Sequence, residues 1–198
     1  MITKTQFKQT TISKPVSLKG VGLHTGKDVV LKFIPAEANF GYAFKRIDLE
    51  GEPLIKADAS LVTSTQRGTC LEKNGVAIQT CEHVLAALVG LEIDNVLIEL
   101  NSSEPPIMDG SSQFFIEALE TAGIKELDFF REVFVVKEVI SYVDEETGSD
   151  ITIIPSDEYQ VTTMVDFGTK VLGTQNATLT TLKDLSLIHI SEPTRHER

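Results

Sequence analysis

The residues with the clearest chemical potential are an adjacent carboxylate and imidazole, Glu82 and His83, at the start of a segment with helical periodicity. Thr80 is a residue type that often caps helices. Apolar residues follow at the i, i+4, i+7 spacing of one helix face, at Val84, Leu88 and Leu91. We therefore predict a helix that Thr80 caps, that has Glu82 and His83 in its first turn, and that ends at Gly90.

This placement makes metal chemistry one interpretation of the pair. The helix N-terminus carries a partial positive charge, which favours a neutral imidazole that can bind a metal ion. A neighbouring carboxylate could then take a proton from a metal-bound water. The alternative is that Glu82 only stabilises the helix start while His83 is an ordinary boundary residue, because short motifs also match by chance.

Two further polar residues are candidates for a site. His24 lies in the segment 20–26, where three glycines in seven residues indicate a sharp turn or a close approach to a ligand. Taken alone, this pattern favours a hairpin turn with an incidental histidine. Asp109 lies in an ordered loop with two prolines, at 103–111, where it is either a turn former or a polar group directed at a site.

Composition limits the class of protein. The chain has 198 residues, 41% of them hydrophobic and 24% charged, which is ordinary for a globular protein. A formal net charge of −11 argues against nucleic acid or an anionic membrane as the main partner. The two cysteines, Cys70 and Cys81, lack a metal-type spacing, and neither a signal sequence nor a membrane-spanning run is evident. We therefore expect a cytoplasmic protein.

The order of the elements predicts an α+β fold. Short strands and an Asn74-Gly75 hairpin precede the first helix, and a buried strand and a second helix follow it. We predict a first domain at 1–127 and the start of a second domain, mainly strands, at 128–185. Residues 186–198 resemble a translated sequencing adapter, so we expect a non-native tail there and a natural protein that continues beyond residue 185.

Five blocks of the sequence together resemble the UDP-3-O-acyl-N-acetylglucosamine deacetylases, zinc amidohydrolases of lipid A biosynthesis. The blocks lie at 20–26, 69–71, 80–88, 90–96 and 106–111, and the likeness extends over roughly residues 5 to 185. Five ordered blocks are more specific than any one of them. The resemblance implies two α+β domains, each a mainly antiparallel sheet packed on two helices, of which the second is incomplete here.

The resemblance also implies roles for residues. Glu82 matches the general base, His83 matches a ligand of the Zn²⁺ ion, and His24 and Asp109 match positions near the substrate. The remaining zinc ligands and a second catalytic histidine come later in the family's sequence, so we expect this chain alone to be inactive. The implied reaction removes the N-acetyl group of UDP-3-O-acyl-N-acetylglucosamine as acetate, in the committed step of lipid A biosynthesis. The alternatives are the N-terminal part of a bifunctional deacetylase and hydroxyacyl-carrier-protein dehydratase, or a non-catalytic binding fragment.

Overall fold

The computed structural model describes residues 2–169, 171 and 173–180. The strands are β1 (Ile2–Ile12), β2 (Val16–Val21), β3 (Asp28–Pro35), β4 (Tyr42–Arg46), β5 (Leu54–Lys56), β6 (Val62–Ser64), β7 (Cys70–Lys73), β8 (Val76–Ile78), β9 (Val96–Leu100), β10 (Ile124–Phe134), β11 (Ile140–Val143), β12 (Asp150–Ile153), β13 (Val161–Asp166) and β14 (Thr174–Leu179). The helices are α1 (Glu82–Gly90) and α2 (Gln113–Ala122), and Ala59–Leu61 forms a single 3₁₀ turn. Neither α-helix in this described part is long and apolar enough to cross a membrane.

The α+β prediction is confirmed. A five-stranded sheet has the order β2-β3-β9-β4-β5, in which every pairing is antiparallel except the parallel pair β4–β9. A three-stranded antiparallel sheet, β6-β7-β8, leads directly into α1. The other strands of the described residues form three two-stranded sheets, β1-β10, β11-β12 and β13-β14.

The core that supports the site lies between the five-stranded sheet and the two helices. Alternate residues of β9 point into it, and Ile98, opposite Phe33 of β3, is fully buried. The ring of Phe33 meets that of Phe115 from α2 edge-on, at a centroid distance of 6.5 Å. Each such buried side chain contributes roughly 1.5–3 kcal/mol relative to an exposed one, so this core holds α1 and α2 firmly in place.

The chain divides into two compact units. One comprises residues 9–128 and contains the five-stranded sheet, β6-β7-β8 and both helices. The other comprises residues 2–8 together with the described residues from Phe129 onward. In this second unit the side chains of β11, β12 and β13 are exposed along their whole length, including Tyr142 at 66% and Met164 at 69%.

Two expectations about the organisation of the chain stay untested. Residue 128, the predicted start of a second domain, lies within the continuous strand β10 (Ile124–Phe134). The assignment of 1–127 and 128–185 as domains stays a prediction. The predicted non-native tail, 186–198, lies outside the described residues.

Candidate functional site

The first turn of α1 presents the predicted Glu82-His83 pair. Glu82 is the first residue of the helix and is half-buried. Its Oε2 accepts a hydrogen bond from the backbone N–H of Thr69 at 2.9 Å. A Cβ built on Gly68 would lie 3.2 Å from Oε1 of Glu82, and Gly68 has a φ of 146°, which favours glycine. The segment 67–69 therefore forms a backbone wall that orients this carboxylate.

His83 is the second residue of the helix and is also half-buried. Its backbone carbonyl accepts a hydrogen bond from Oγ of Ser112 at 2.9 Å, which connects α1 to the start of α2. Among the described residues, no group of three or more histidine, cysteine, aspartate or glutamate side chains is arranged to hold a metal ion. The described part of the chain therefore contains no complete set of metal ligands, and the role of His83 as a ligand stays a prediction.

The prediction that Thr80 caps α1 is wrong. The N-cap residue is Cys81, and no side chain makes a capping hydrogen bond. Thr80 instead has a φ of 52°, which is strained for a β-branched residue, and its Oγ1 donates to Oε1 of Glu104 at 3.1 Å. Burial raises the pKa of the Cys81 thiol to about 12, and the charge of Glu82 adds to this shift, so the thiol stays protonated as part of the core.

Glu104 is the residue of this region that the sequence analysis missed. It lies just beyond β9, is fully buried, and accepts hydrogen bonds from four donor groups. The backbone N–H groups of His24 and Thr25 approach it at 3.1 Å and 3.0 Å, and the hydroxyls of Thr25 and Thr80 at 3.0 Å and 3.1 Å. Burial raises the pKa of the Glu104 carboxyl, but the hydrogen bonds from Thr25, His24 and Thr80 outweigh it and leave the pKa lowered. Glu104 is therefore a buried carboxylate anion.

The glycine-rich segment is the turn that joins the antiparallel strands β2 and β3, as the hairpin interpretation predicted. Gly22 makes a close approach to another part of the protein, because a Cβ there would lie 2.7 Å from Oε2 of Glu104. The ring of His24 is exposed, and its Nε2 lies 3.4 Å from the carbonyl oxygen of Arg67. His24 and Glu82 therefore both contact the segment 67–69.

Asp109 takes the turn-forming role. Its exposed carboxylate accepts hydrogen bonds from the backbone N–H and the hydroxyl of Ser111, at 2.9 Å and 2.7 Å, just before α2. Asp109 also lines an open groove of about 380 Å³ between β2 and this loop, whose walls include Val21, Met108 and Phe114. The described contacts thus bring His24 and Glu82 to the segment 67–69, whereas Asp109 lines the groove beside β2.

Comparison with known proteins places this arrangement in a family. A protein named "Bifunctional enzyme LpxC/FabZ" from Bacteroides thetaiotaomicron is 44% identical over 173 residues, which is 87% of this chain and 38% of that protein. A protein of the same name from Porphyromonas gingivalis is 42% identical over 177 residues, 89% of this chain and 38% of that protein. The "UDP-3-O-acyl-N-acetylglucosamine deacetylase" of Cellvibrio japonicus is 39% identical over 161 residues, 81% of this chain and 52% of that protein.

The chain thus spans about half or less of the length of these relatives. The family model described as UDP-3-O-acyl N-acetylglycosamine deacetylase matches residues 9–192, a range that contains Glu82, His83, His24, Asp109 and Glu104. By this match the chain belongs to the UDP-3-O-acyl N-acetylglycosamine deacetylase family.

Proposed function

We propose that this chain forms part of the active site of a zinc-dependent deacetylase that hydrolyses the N-acetyl group of UDP-3-O-acyl-N-acetylglucosamine and releases acetate. The observation that carries the proposal is the pair Glu82-His83 in the first turn of α1, with the carboxylate oriented by the N–H of Thr69, in a chain of this family. The products would be acetate and the 2-amino sugar nucleotide with its acyl chain, a step of lipid A biosynthesis in the cytoplasm.

The zinc ion belongs to this proposal. The described residues supply one fitting donor, the half-buried imidazole of His83, so further ligands would have to come from residues outside the described part. When bound, zinc would act as a Lewis acid for the amide carbonyl and lower the pKa of a bound water. We also propose that the 198-residue chain is inactive by itself, because a catalytic zinc site needs about three protein ligands.

Glu82 is the proposed general base. The Thr69 N–H fixes Oε2, while Oε1 faces Gly68, where the absence of a side chain leaves space beside the carboxylate. Glu82 is the acidic residue in the first turn of α1, and a carboxylate is the group that accepts a proton in general-base catalysis. Glu82 would take a proton from the attacking water and then pass it to the leaving amine. His24 and Asp109 are proposed to face the substrate.

The second candidate adds an activity to the first. The longer protein to which this chain would belong, called the parent-length protein below, would then be a bifunctional deacetylase and hydroxyacyl-carrier-protein dehydratase. The 44% and 42% identities to proteins whose names begin "Bifunctional enzyme" favour this candidate. It predicts dehydratase activity in the parent-length protein, measurable with a hydroxyacyl carrier protein, and it leaves the role of Glu82 unchanged.

The test uses a parent-length protein and two substitutions at neighbouring positions. Glu82→Gln keeps the side-chain size but removes the proton acceptor, so zinc should stay bound while kcat falls roughly 10²- to 10⁴-fold. His83→Ala should lose both zinc and turnover. Glu120→Gln, an exposed glutamate of α2, is the matched control and should leave both quantities unchanged.

Zinc stoichiometry, thermal unfolding and turnover are measured for the three variants together. If Glu82 and His83 serve only the helix start, each substitution changes the stability by about 1 kcal/mol or less and turnover persists. Retention of zinc and of most turnover in both variants would show that the site assignment is wrong.

A further inference from the structure

The Glu104 carboxylate has no role in the chemistry proposed above. Its carboxylate is fully buried, and within the described part of the chain it is satisfied by N–H and O–H donors and by no cation. Burying a charge in this way is unfavourable unless every acceptor position is well filled. A group needed only for packing would be apolar, because an apolar side chain avoids that cost. The carboxylate therefore indicates a requirement for a fixed geometry.

The donors come from two separate parts of the chain. His24 and Thr25 lie in the turn between β2 and β3, and Thr80 lies immediately before α1. Hydrogen bonds are directional and confined to a narrow range of distances, so one carboxylate that accepts from both parts restricts the distance between them. Apart from Glu104, the direct polar contact between this turn and the segment before α1 is that of His24 Nε2 with the Arg67 carbonyl, at 3.4 Å. Backbone hydrogen bonds also tie Val21 to Ile107 and Gln79 to Ser103, but they do not reach His24 or Thr25.

The same contacts reach the proposed general base. A Cβ on Gly68 would lie 3.3 Å from Oγ1 of Thr80 and 3.2 Å from Oε1 of Glu82, so both side chains pack against one glycine. Thr80 has the strained φ of 52°, and its bond to Glu104 holds it there. A shift of Thr80 would therefore change the space available to the Glu82 carboxylate.

We propose that Glu104 is a positioning residue that locks the His24 turn to the start of α1, and so sets the placement of His24 relative to Glu82. The functional part of this inference rests on the proposed deacetylase activity. The structural part, the lock between turn and helix, does not depend on it.

The structural part is tested on the 198-residue chain by amide hydrogen exchange. Glu104→Gln presents an NH₂ group to the existing donors and should accelerate exchange at His24 and Thr25 at least fivefold more than at the paired amides of β3 and β9. Glu99→Gln, a partly exposed carboxylate of β9 near Lys32 and Lys45, is the matched control and should show no such difference. A relative acceleration below fivefold overturns the lock.

A second variant covers the case in which Glu104→Gln does not fold. Thr25→Val removes one hydroxyl donor to Glu104 and keeps the shape of the side chain. It should accelerate exchange at Thr25 at least threefold more than in β3, and a smaller effect would overturn the lock in the same way.

The functional part is tested in the parent-length enzyme. Glu104→Gln should lower kcat/KM about 10- to 100-fold, mainly through a higher KM, while the zinc content is unchanged. Unaltered kcat/KM in a variant whose turn has loosened refutes the functional role. A wild-type enzyme without deacetylase activity refutes the proposed function instead, and the exchange experiment still decides the lock.

Discussion

The close approach of Gly22 to Glu104 gives a sharp test of the site's packing. A Cβ at position 22 would lie 2.7 Å from Oε2 of Glu104 and 2.3 Å from Oγ1 of Thr25, well inside van der Waals contact. Gly26 lies in the same turn but differs from Gly22 in its backbone conformation and in the space around it. It has a φ of 62°, but no atom lies within 4 Å of the Cβ it would gain. Alanine at 22 is thus a steric perturbation, and alanine at 26 is a conformational one.

The contacts set the expected magnitude for Gly22→Ala. Overpacking a filled site costs about 1–3 kcal/mol. Displacing the carboxylate also weakens at least one hydrogen bond to a charged acceptor, worth about 1.5–3 kcal/mol. Because an exposed turn can partly relax, we expect a loss near the lower end of the sum, about 3 kcal/mol. Gly26→Ala should cost about 1 kcal/mol, the penalty of a left-handed alanine.

Thermal unfolding of the two variants beside the wild type measures this difference. For a folding unit of this size, 1 kcal/mol corresponds to roughly 4 °C in Tm. Gly22→Ala should therefore lower Tm by about 12 °C and Gly26→Ala by about 4 °C. A Gly22→Ala shift no larger than that of Gly26→Ala would refute the close packing of Glu104 against the turn.

Three further predictions concern the same unit. The folded-state pKa of Glu104 lies below its ordinary value of 4.5, so its contribution to stability is present above about pH 4.5 and is lost as the pH falls below that value and through the lower folded-state pKa; urea unfolding at pH 7 and pH 3.5 should show a smaller loss in Glu104→Gln than in the wild type. Cys81 is fully buried and Cys70 is not, so a thiol reagent should modify Cys70 in the folded chain and both cysteines in urea, and rapid native labelling of Cys81 would contradict the packing. Asn95 is 1% exposed, donates to Gln9 Oε1 at 3.0 Å and accepts from the N–H of Gly41 at 3.0 Å, so Asn95→Leu should destabilise by about 2–4 kcal/mol in urea unfolding because it leaves buried groups without partners.

The helix that carries the candidate site was predictable because its signals are local. Apolar spacing and Gly90 indicated α1 and its end, and the structure has the helix at Glu82–Gly90. Its capping was mispredicted, since Thr80 is a common capping residue and the sequence around it contains nothing against that role. The hydroxyl goes to Glu104, 24 residues away, and long-range bonds of this kind leave no periodic trace.

The same contrast separates Asp109 from Glu104. Asp109 bonds to Ser111, two residues further on, so the Asp-Gly-Ser sequence was enough to suggest its turn. Glu104 is charged and precedes two prolines. This local sequence predicts an exposed loop, because glutamate is rarely buried. The available signal was its position four residues after β9, a strand whose alternate residues are buried, where the chain has not yet left the core.

The loop between β9 and α2 holds the first turn of α1 from two directions. Glu104, near the loop's start, binds Thr80 on the N-terminal side of the Glu82-His83 pair, and Ser112, at its end, binds the carbonyl of His83. Both bonds would have to break for the pair to move relative to the sheet, since β9 itself is paired on both sides. In the proposed roles of general base and zinc ligand, Glu82 and His83 would need small positional fluctuations more than strong individual contacts. Anchoring the backbone on either side meets that need and leaves the Glu82 and His83 side chains available for chemistry.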